Sequence, residues 1–270
     1  MLDIKSPGGL VIEIFKIVDT IKKVRERHRV VVWVSEAISA AAVTSMQCEQ
    51  IYFRSTGALG AAMMIKGRDS AYGEELEKFR KEIGDEVERS GRPRIVFEAM
   101  VLAKAVLTYT KDPVTGRVTF HDRITGLPGE KVLSDEKDNL TFNAGPALDC
   151  GFSAGTADTP EQLGKLLGLP EWYEVSPYGR NIAKKLLDDH KACEKDLQKK
   201  EAEANIPRQN PCEMIQAKLA TIEAALKWAQ RCPTCIAPGL IQFKERVEQI
   251  QEQRKQLQKE LAECNKARNG

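Results

Sequence analysis

The sequence predicts an α/β domain followed by a helical tail, and three observations carry that prediction. Short β-rich runs alternate with helix-patterned stretches from residue 1 to about 176. From about 178 the composition turns to Lys, Glu, Gln, Ala and Leu, with apolar positions stepping by four and three. A length of 270 residues, 42% of them hydrophobic, allows one sizeable core and a smaller second element. The expected division is 1–176 for the α/β domain and 177–270 for the tail.

Taken in order, "LDI" and "RVVVWV" read as strands. Between them "LVIEIFKIVDTIKKVRER" reads as a helix with Ile14, Ile17, Val18 and Ile21 on one face. "EQIYF" is a third strand, and a charged helix is expected over about 73–90. "PRIVFEAMVLA" and a ribbon-like "VLTYTKDPVTGRVTFHD" follow. The last small helix has Thr159 as its N-cap, Pro160 at its first position and Gly168 just beyond its end. In the tail a helix is expected at about 179–203. Two heptad seams follow: Ile215, Leu219, Ile222, Leu226 and Ala229, then Phe243, Val247, Ile250, Leu257, Leu261 and Cys264, with Arg254 in the skipped place. "RCPTCIAPG" between them, with two prolines and a glycine, predicts an antiparallel hairpin.

The 41 basic and 39 acidic residues nearly cancel, which argues against bulk attraction to nucleic acid or anionic lipid. The longest apolar candidate, "VVVWVSEAISAAAV", is too short to span a membrane and carries Glu36. The chain reads as though it starts inside a fold. Its leader and compartment therefore stay open, and membrane association is expected only through upstream sequence. Seven cysteines suit a reducing compartment or a partly bridged exported protein equally.

Chemistry concentrates in two stretches. In "VVVWVSEAISAAAVTSMQCEQIYFRSTGALGAAM" an apolar strand runs into a tight turn with Ser39 at the start of a small-residue helix. There a hydroxyl meets the helix's positive end with little to block approach, although a helix-capping serine has the same pattern. In "LDIKSPGGLV" a glycine pair lies between strand and helix, where backbone N–H groups can face a reacting oxygen or simply form a turn.

Together, "SPGG", a helix, an apolar strand, "A-x-S-A-A", the "CEQIYF" strand and "TGALGAA" resemble the ClpP-like serine peptidases of the ClpP/crotonase fold. The likeness is closest to the branch of the signal peptide peptidase SppA and the NfeD-type proteins. It extends through "EAMV" at 98–101 and "LTFNAGPALDCGFSAGTADTPEQLGKLLGL" at 140–169, about two-thirds of the chain. The resemblance implies Ser39 as nucleophile and an oxyanion hole from Gly9 N–H and Ala40 N–H, with Gly8 shaping the turn. It also implies a peptide or protein substrate, oligomerisation with copies of itself, and no cofactor or metal. Ala41 stands where that branch carries glycine, and the strand, helix and strand that normally precede the glycine pair are missing.

None of His28, His121 and His190 lies about one strand downstream of Ser39, which disfavours a histidine triad. His28 and His190 sit in charged helical stretches and read as solvated. The branch uses lysine, made basic by desolvation. "LEKFRKEIGDEVERSGRP" resembles its lysine-bearing helix and favours Lys78, with Lys66 and Lys81 as the other candidates.

"CPTC" at 232–235 has metal or redox spacing, but zinc needs two more ligands. Cys212 is about 30 Å away along one helix and Cys264 about 43 Å along the other. Cys232 and Cys235 thus read as loop thiols ahead of a local disulfide or an intermolecular site, and Cys48 and Cys150 as core. The expected function is a Ser-Lys endopeptidase acting on peptides or membrane-protein segments through an acyl-enzyme. The alternatives are an inactive scaffold that oligomerises or binds partners through its coiled coil, and a crotonase-type acyl-CoA enzyme, which "A-x-S-A-A" argues against.

Overall fold

In the computed structural model the chain forms two compact units, Met1–Trp172 and Tyr173–Gly270. Residues 1–66, 69–70, 73–169, 171–237 and 242–269 are described. The first unit is α/β and the second is helical, the class that the alternating and then heptad-like patterns predict.

The first unit begins with β1 (Leu2–Ser6), α1 (Val11–Arg25), β2 (Val31–Ile38), α2 (Ala40–Met46) and β3 (Gln50–Gly60). A short antiparallel pair follows, β4 (Ile65–Lys66) and β5 (Asp69–Ser70). The helices α3 (Glu74–Arg89) and α4 (Arg94–Val101) come next. Strands β6 (Leu107–Lys111), β7 (Val118–His121) and β8 (Lys131–Ser134) make a separate antiparallel sheet in the order β7-β6-β8. The unit closes with β9 (Thr141–Asn143), α5 (Ala144–Asp149), β10 (Gly155–Thr156) and α6 (Pro160–Leu166).

The main sheet runs β1-β2-β3-β10, all parallel, with β9 antiparallel to the end of β3. The unbroken apolar run of β2 follows from burial on both faces. Val32 and Val34 enter the main core beneath α1, α2, α3 and α4. Val31 and Trp33 face the other way, onto Tyr52, Ala157 and Leu163. On α1 the predicted stripe buries Ile14, Val18 and Ile21, whereas Ile17 is 42% exposed at its edge. Helix α6 starts at Thr159 with a reciprocal capping box, Thr159 Oγ1 accepting from Gln162 N–H, and Pro160 at its first position.

In the second unit α7 (Tyr178–Ala204), α8 (Pro211–Arg231), the short α9 (Pro233–Ile236) and α10 (Phe243–Asn269) follow one another. Helices α8 and α10 are antiparallel, because Cys212 near the start of α8 is disulfide-bonded to Cys264 near the end of α10. Cys193 of α7 is bonded to Cys235 of α9. This corrects the reading of Cys235 as a loop thiol. The helical distances that keep Cys212 and Cys264 from the "CPTC" loop bring those two together at the other end of the hairpin, and α7 delivers a partner for Cys235. Cys232 keeps a buried thiol, as do Cys48 and Cys150 in the first unit. No helix among the described residues is long and apolar enough to cross a membrane.

Candidate active site

Parallel pairing of β1 with β2 fixes the site. Ser6 is opposite Ala37, so the two strand-to-helix turns, 7–10 and 38–40, emerge side by side at the carboxyl edge of the sheet. Such edges are where open parallel sheets place ligands.

Ser39 is the hinge between β2 and α2, with φ 57° and ψ −124°. A positive φ is costly for a residue with a Cβ, and strain of about 1–3 kcal/mol of this kind gathers at functional turns. Here it is imposed from both sides. Ser39 N–H donates to Gly60 O at 2.9 Å, while Ser39 O already accepts from Ala42 N–H at 2.9 Å. The serine therefore stands on a sharp strand-to-helix elbow, half-buried, and its Oγ makes no hydrogen bond to a described residue. Helix α2 can pack this tightly because its residues are small. Ala41 to Met46 are all buried, and Thr44 and Ser45 return their hydroxyls to Ala40 O and Ala41 O.

The glycine pair lies directly against this elbow. A Cβ on Gly8 would stand 2.7 Å from Ser39 Cβ, 3.0 Å from Ile38 O and 3.2 Å from Ser39 Oγ, and Gly8 has φ +118°. Gly8 N–H donates to Ser6 Oγ at 3.2 Å, so that donor is used inside the turn. Gly9 is exposed, a Cβ there would meet nothing within 4 Å, and its N–H has no acceptor among the described residues. Ala40 is the first residue of α2, a position whose N–H has no acceptor within the helix.

Gly60 carries the elbow from the far side. A Cβ there would meet Leu140 O at 2.2 Å, with φ +151°. Gly57 is equally confined, 2.6 Å from Val34 O. The stretch "TGALG" is thus a continuation of β3, and its glycines mark close backbone approach within the sheet.

The lysines are placed differently. Lys78 lies on the solvent side of α3, its side chain 74% exposed and 3.8 Å from Glu82 one turn on. It lacks the burial that a lysine base requires. Lys81 is exposed as well. The Lys66 side chain lies outside the described residues. Of the histidines, His28 is exposed, His121 shares a hydrogen bond with Thr110 Oγ1 at 3.1 Å in the separate sheet, and His190 belongs to the second unit.

No family model matches the chain. The membrane protein NfeD1b of Bacillus subtilis (strain 168) is 28% identical over 187 residues, which is 68% of this chain and 37% of that protein. The chain therefore spans little more than a third of the curated relative it matches. Two solved structures of a membrane-bound stomatin-specific protease, 1510-N, overlap it at a TM-score of 0.42. A lysine-to-alanine mutant in complex with a substrate peptide is 17% identical, covering 60% of this chain and 62% of its own. A serine-to-alanine mutant is 16% identical, covering 61% and 66%. The motif resemblance to the NfeD-type branch of the ClpP-like serine peptidases is thus accompanied by similarity to an NfeD protein over most of the chain.

Proposed function

We propose that this chain carries a serine peptidase site in which Ser39 Oγ attacks the carbonyl of an extended peptide and forms an acyl-enzyme that water then releases. The observation that carries the proposal is the contact between the two turns. Ser39 is held at positive φ on a strand-to-helix elbow, and the Gly8 backbone is packed so closely on it that no side chain fits between. Gly9 N–H, in the first of these turns, has no acceptor among the described residues, and Ala40 N–H begins helix α2 directly after the serine.

Gly9 N–H and Ala40 N–H are the proposed oxyanion donors. Gly8 spends its own N–H on Ser6, which leaves Gly9 as the donor of that turn, and the β1–β2 register sets that turn beside the one that carries Ser39. One such donor is worth about 2.7–4 kcal/mol of barrier. The base is a lysine from the set Lys66, Lys78 and Lys81. It takes the Ser39 proton during attack and returns it to the leaving amine.

One observation favours a second reading, a non-catalytic scaffold whose helical tail serves assembly: no described side chain hydrogen-bonds Ser39 Oγ. Fluorophosphonate labelling separates the two. The peptidase reading expects covalent modification of the folded chain that disappears in Ser39→Ala. A folded chain that stays unlabelled, or labelling that survives Ser39→Ala, overturns it and leaves the scaffold.

A further inference from the structure

In the second unit, His190 and Cys193 lie one turn apart on α7, and Cys232 and Cys235 bracket the first turn of α9, where Cys235 N–H donates to Cys232 O at 3.0 Å. The sequence thus holds H-x2-C and C-x2-C pairs that the fold brings together. Cys193 and Cys232 are buried with Trp228, packed by Leu197, Cys235 and Ile236. Cys232 Sγ faces His190 Nδ1 at 3.9 Å, and on the other side of the ring Nε2 faces Glu194 Oε1 at 3.5 Å. His190, expected to be solvated, is turned toward the thiol by this arrangement.

We propose that reduction of the Cys193–Cys235 bond converts this cluster into a tetrahedral zinc site with His190 Nδ1 and the thiolates of Cys193, Cys232 and Cys235 as ligands. With the bond closed, no group of three or more His, Cys, Asp or Glu side chains among the described residues can hold a metal ion. Opening it frees two sulfurs within the same packed cluster as the third. Three observations point to a metal. Zinc bonds of about 2.3 Å to sulfur and about 2.0–2.1 Å to nitrogen put tetrahedral S and N ligands about 3.5 Å apart, so the 3.9 Å separation of Cys232 and His190 needs little adjustment. The carboxylate behind Nε2 is the outer partner that fixes a metal-bound histidine's tautomer and raises its basicity. Three thiolates and an imidazole are the donor set that selects zinc in structural sites.

The step balances with a dithiol as reductant. Two electrons and two protons pass to the disulfide, the dithiol closes to its own disulfide, and Cys193 and Cys235 become thiols. Zinc then displaces the protons of three thiols, while His190 keeps its proton on Nε2 toward Glu194.

The test uses the full chain, treated with a dithiol, freed of it without oxygen, and titrated with Co2+ and then Zn2+. One equivalent of cobalt is expected to give thiolate-to-metal charge transfer and the visible bands of tetrahedral coordination, with zinc displacing it, while the unreduced chain gives neither. Cys232→Ser is expected to lower affinity at least about 100-fold, and Glu194→Ala by about 10- to 100-fold. A Cys212→Ser, Cys264→Ser double variant is expected to keep the full equivalent. A reduced chain without the tetrahedral signal overturns the proposal, as does a signal that survives Cys232→Ser combined with His190→Ala. So does helicity that is lost on reduction and not regained when zinc is added.

Discussion

Replacing Gly8 by alanine tests the geometry of the candidate site more sharply than removing the serine. The new Cβ would lie 2.7 Å from Ser39 Cβ and 3.0 Å from Ile38 O, where ordinary contact begins near 3.4 Å, so the two turns must part by roughly 0.7 Å. The φ of +118° adds the backbone cost of a residue with a side chain. Together these are expected to cost roughly 2–5 kcal/mol of the first unit's stability. Because shifts on the order of 1 Å at a reacting centre cost about 100-fold, fluorophosphonate labelling of Ser39 is expected to slow about 10- to 100-fold. Gly145→Ala, on α5 and outside the candidate site, is the control. Its Cβ meets nothing within 4 Å, so stability is expected to change by no more than about 1 kcal/mol and labelling by less than threefold. Urea denaturation followed by tryptophan fluorescence, with the buried Trp33 in the first unit as reporter, measures stability, and probe kinetics measure the site. If Gly8→Ala labels and unfolds like the parent chain, the Gly8 backbone does not abut the serine and the reasoning fails.

Three further outcomes follow from the same structure. Ser39→Gly is expected to be more stable than Ser39→Ala by about 1 kcal/mol in urea, because both lack the hydroxyl but only glycine is at ease at φ 57°; the opposite order would remove the case for a strained elbow. The Arg92 guanidinium donates to Phe152 O at 3.2 Å and Cys48 O at 3.1 Å, and burial holds its pKa down at about 10. Arg92→Met leaves those carbonyls unpaired and is expected to cost about 2–4 kcal/mol, against which an unchanged urea midpoint would count. Glu130 accepts from Thr108 Oγ1, Thr125 N–H and Gly126 N–H, which pull its carboxyl from 4.5 down to about 2. The unfolded chain therefore binds that proton first, and this contribution to stability, full above about pH 4.5, is lost as pH falls toward 2. Glu130→Gln is expected to flatten the urea midpoint over that window, and an unaltered pH profile would contradict the assignment.

The sequence discloses what depends on local pattern. The apolar runs of β1, β2 and the start of β3, the amphipathic α1 and the cap of α6 are all readable, and so is the adjacency of Ser39 and the glycine pair, because both turns follow consecutive parallel strands. Less was legible where a residue's role depends on a distant backbone. Gly57 and Gly60 lie beyond the predicted strand "EQIYF", yet they let Val34 O and Leu140 O approach a continuous β3. The Cys193–Cys235 pair is not legible from distances along α8 and α10, because its partner comes from the third helix, α7, whereas Cys212 and Cys264 meet because the hairpin folds back on itself. His190 and Cys193 carry the spacing H-x2-C, but a histidine on a charged helix gives no local sign of the Cys232 thiol it faces.

The base is the hardest group to read, and helical geometry narrows it. Phe79, Ile83 and Val87 form the buried stripe of α3, stepping by four. At about 100° per residue, Lys78 lies about 100° from Phe79 and about 180° from Val87, and Lys81 lies well off the stripe on the other side. Within this chain, turning α3 to bury either one would expose that stripe, at about 1.5–3 kcal/mol for each large side chain lost from the core. Of the three proposed lysines, Lys66, at the end of β4, is the one that lies off this helix, and we propose it as the first to test. Lys66→Ala is then expected to abolish fluorophosphonate labelling, while Lys78→Ala and Lys81→Ala retain it. Loss of labelling in Lys78→Ala with Lys66→Ala unaffected would require α3 to rotate in the reactive state, and would refute the argument from its buried face.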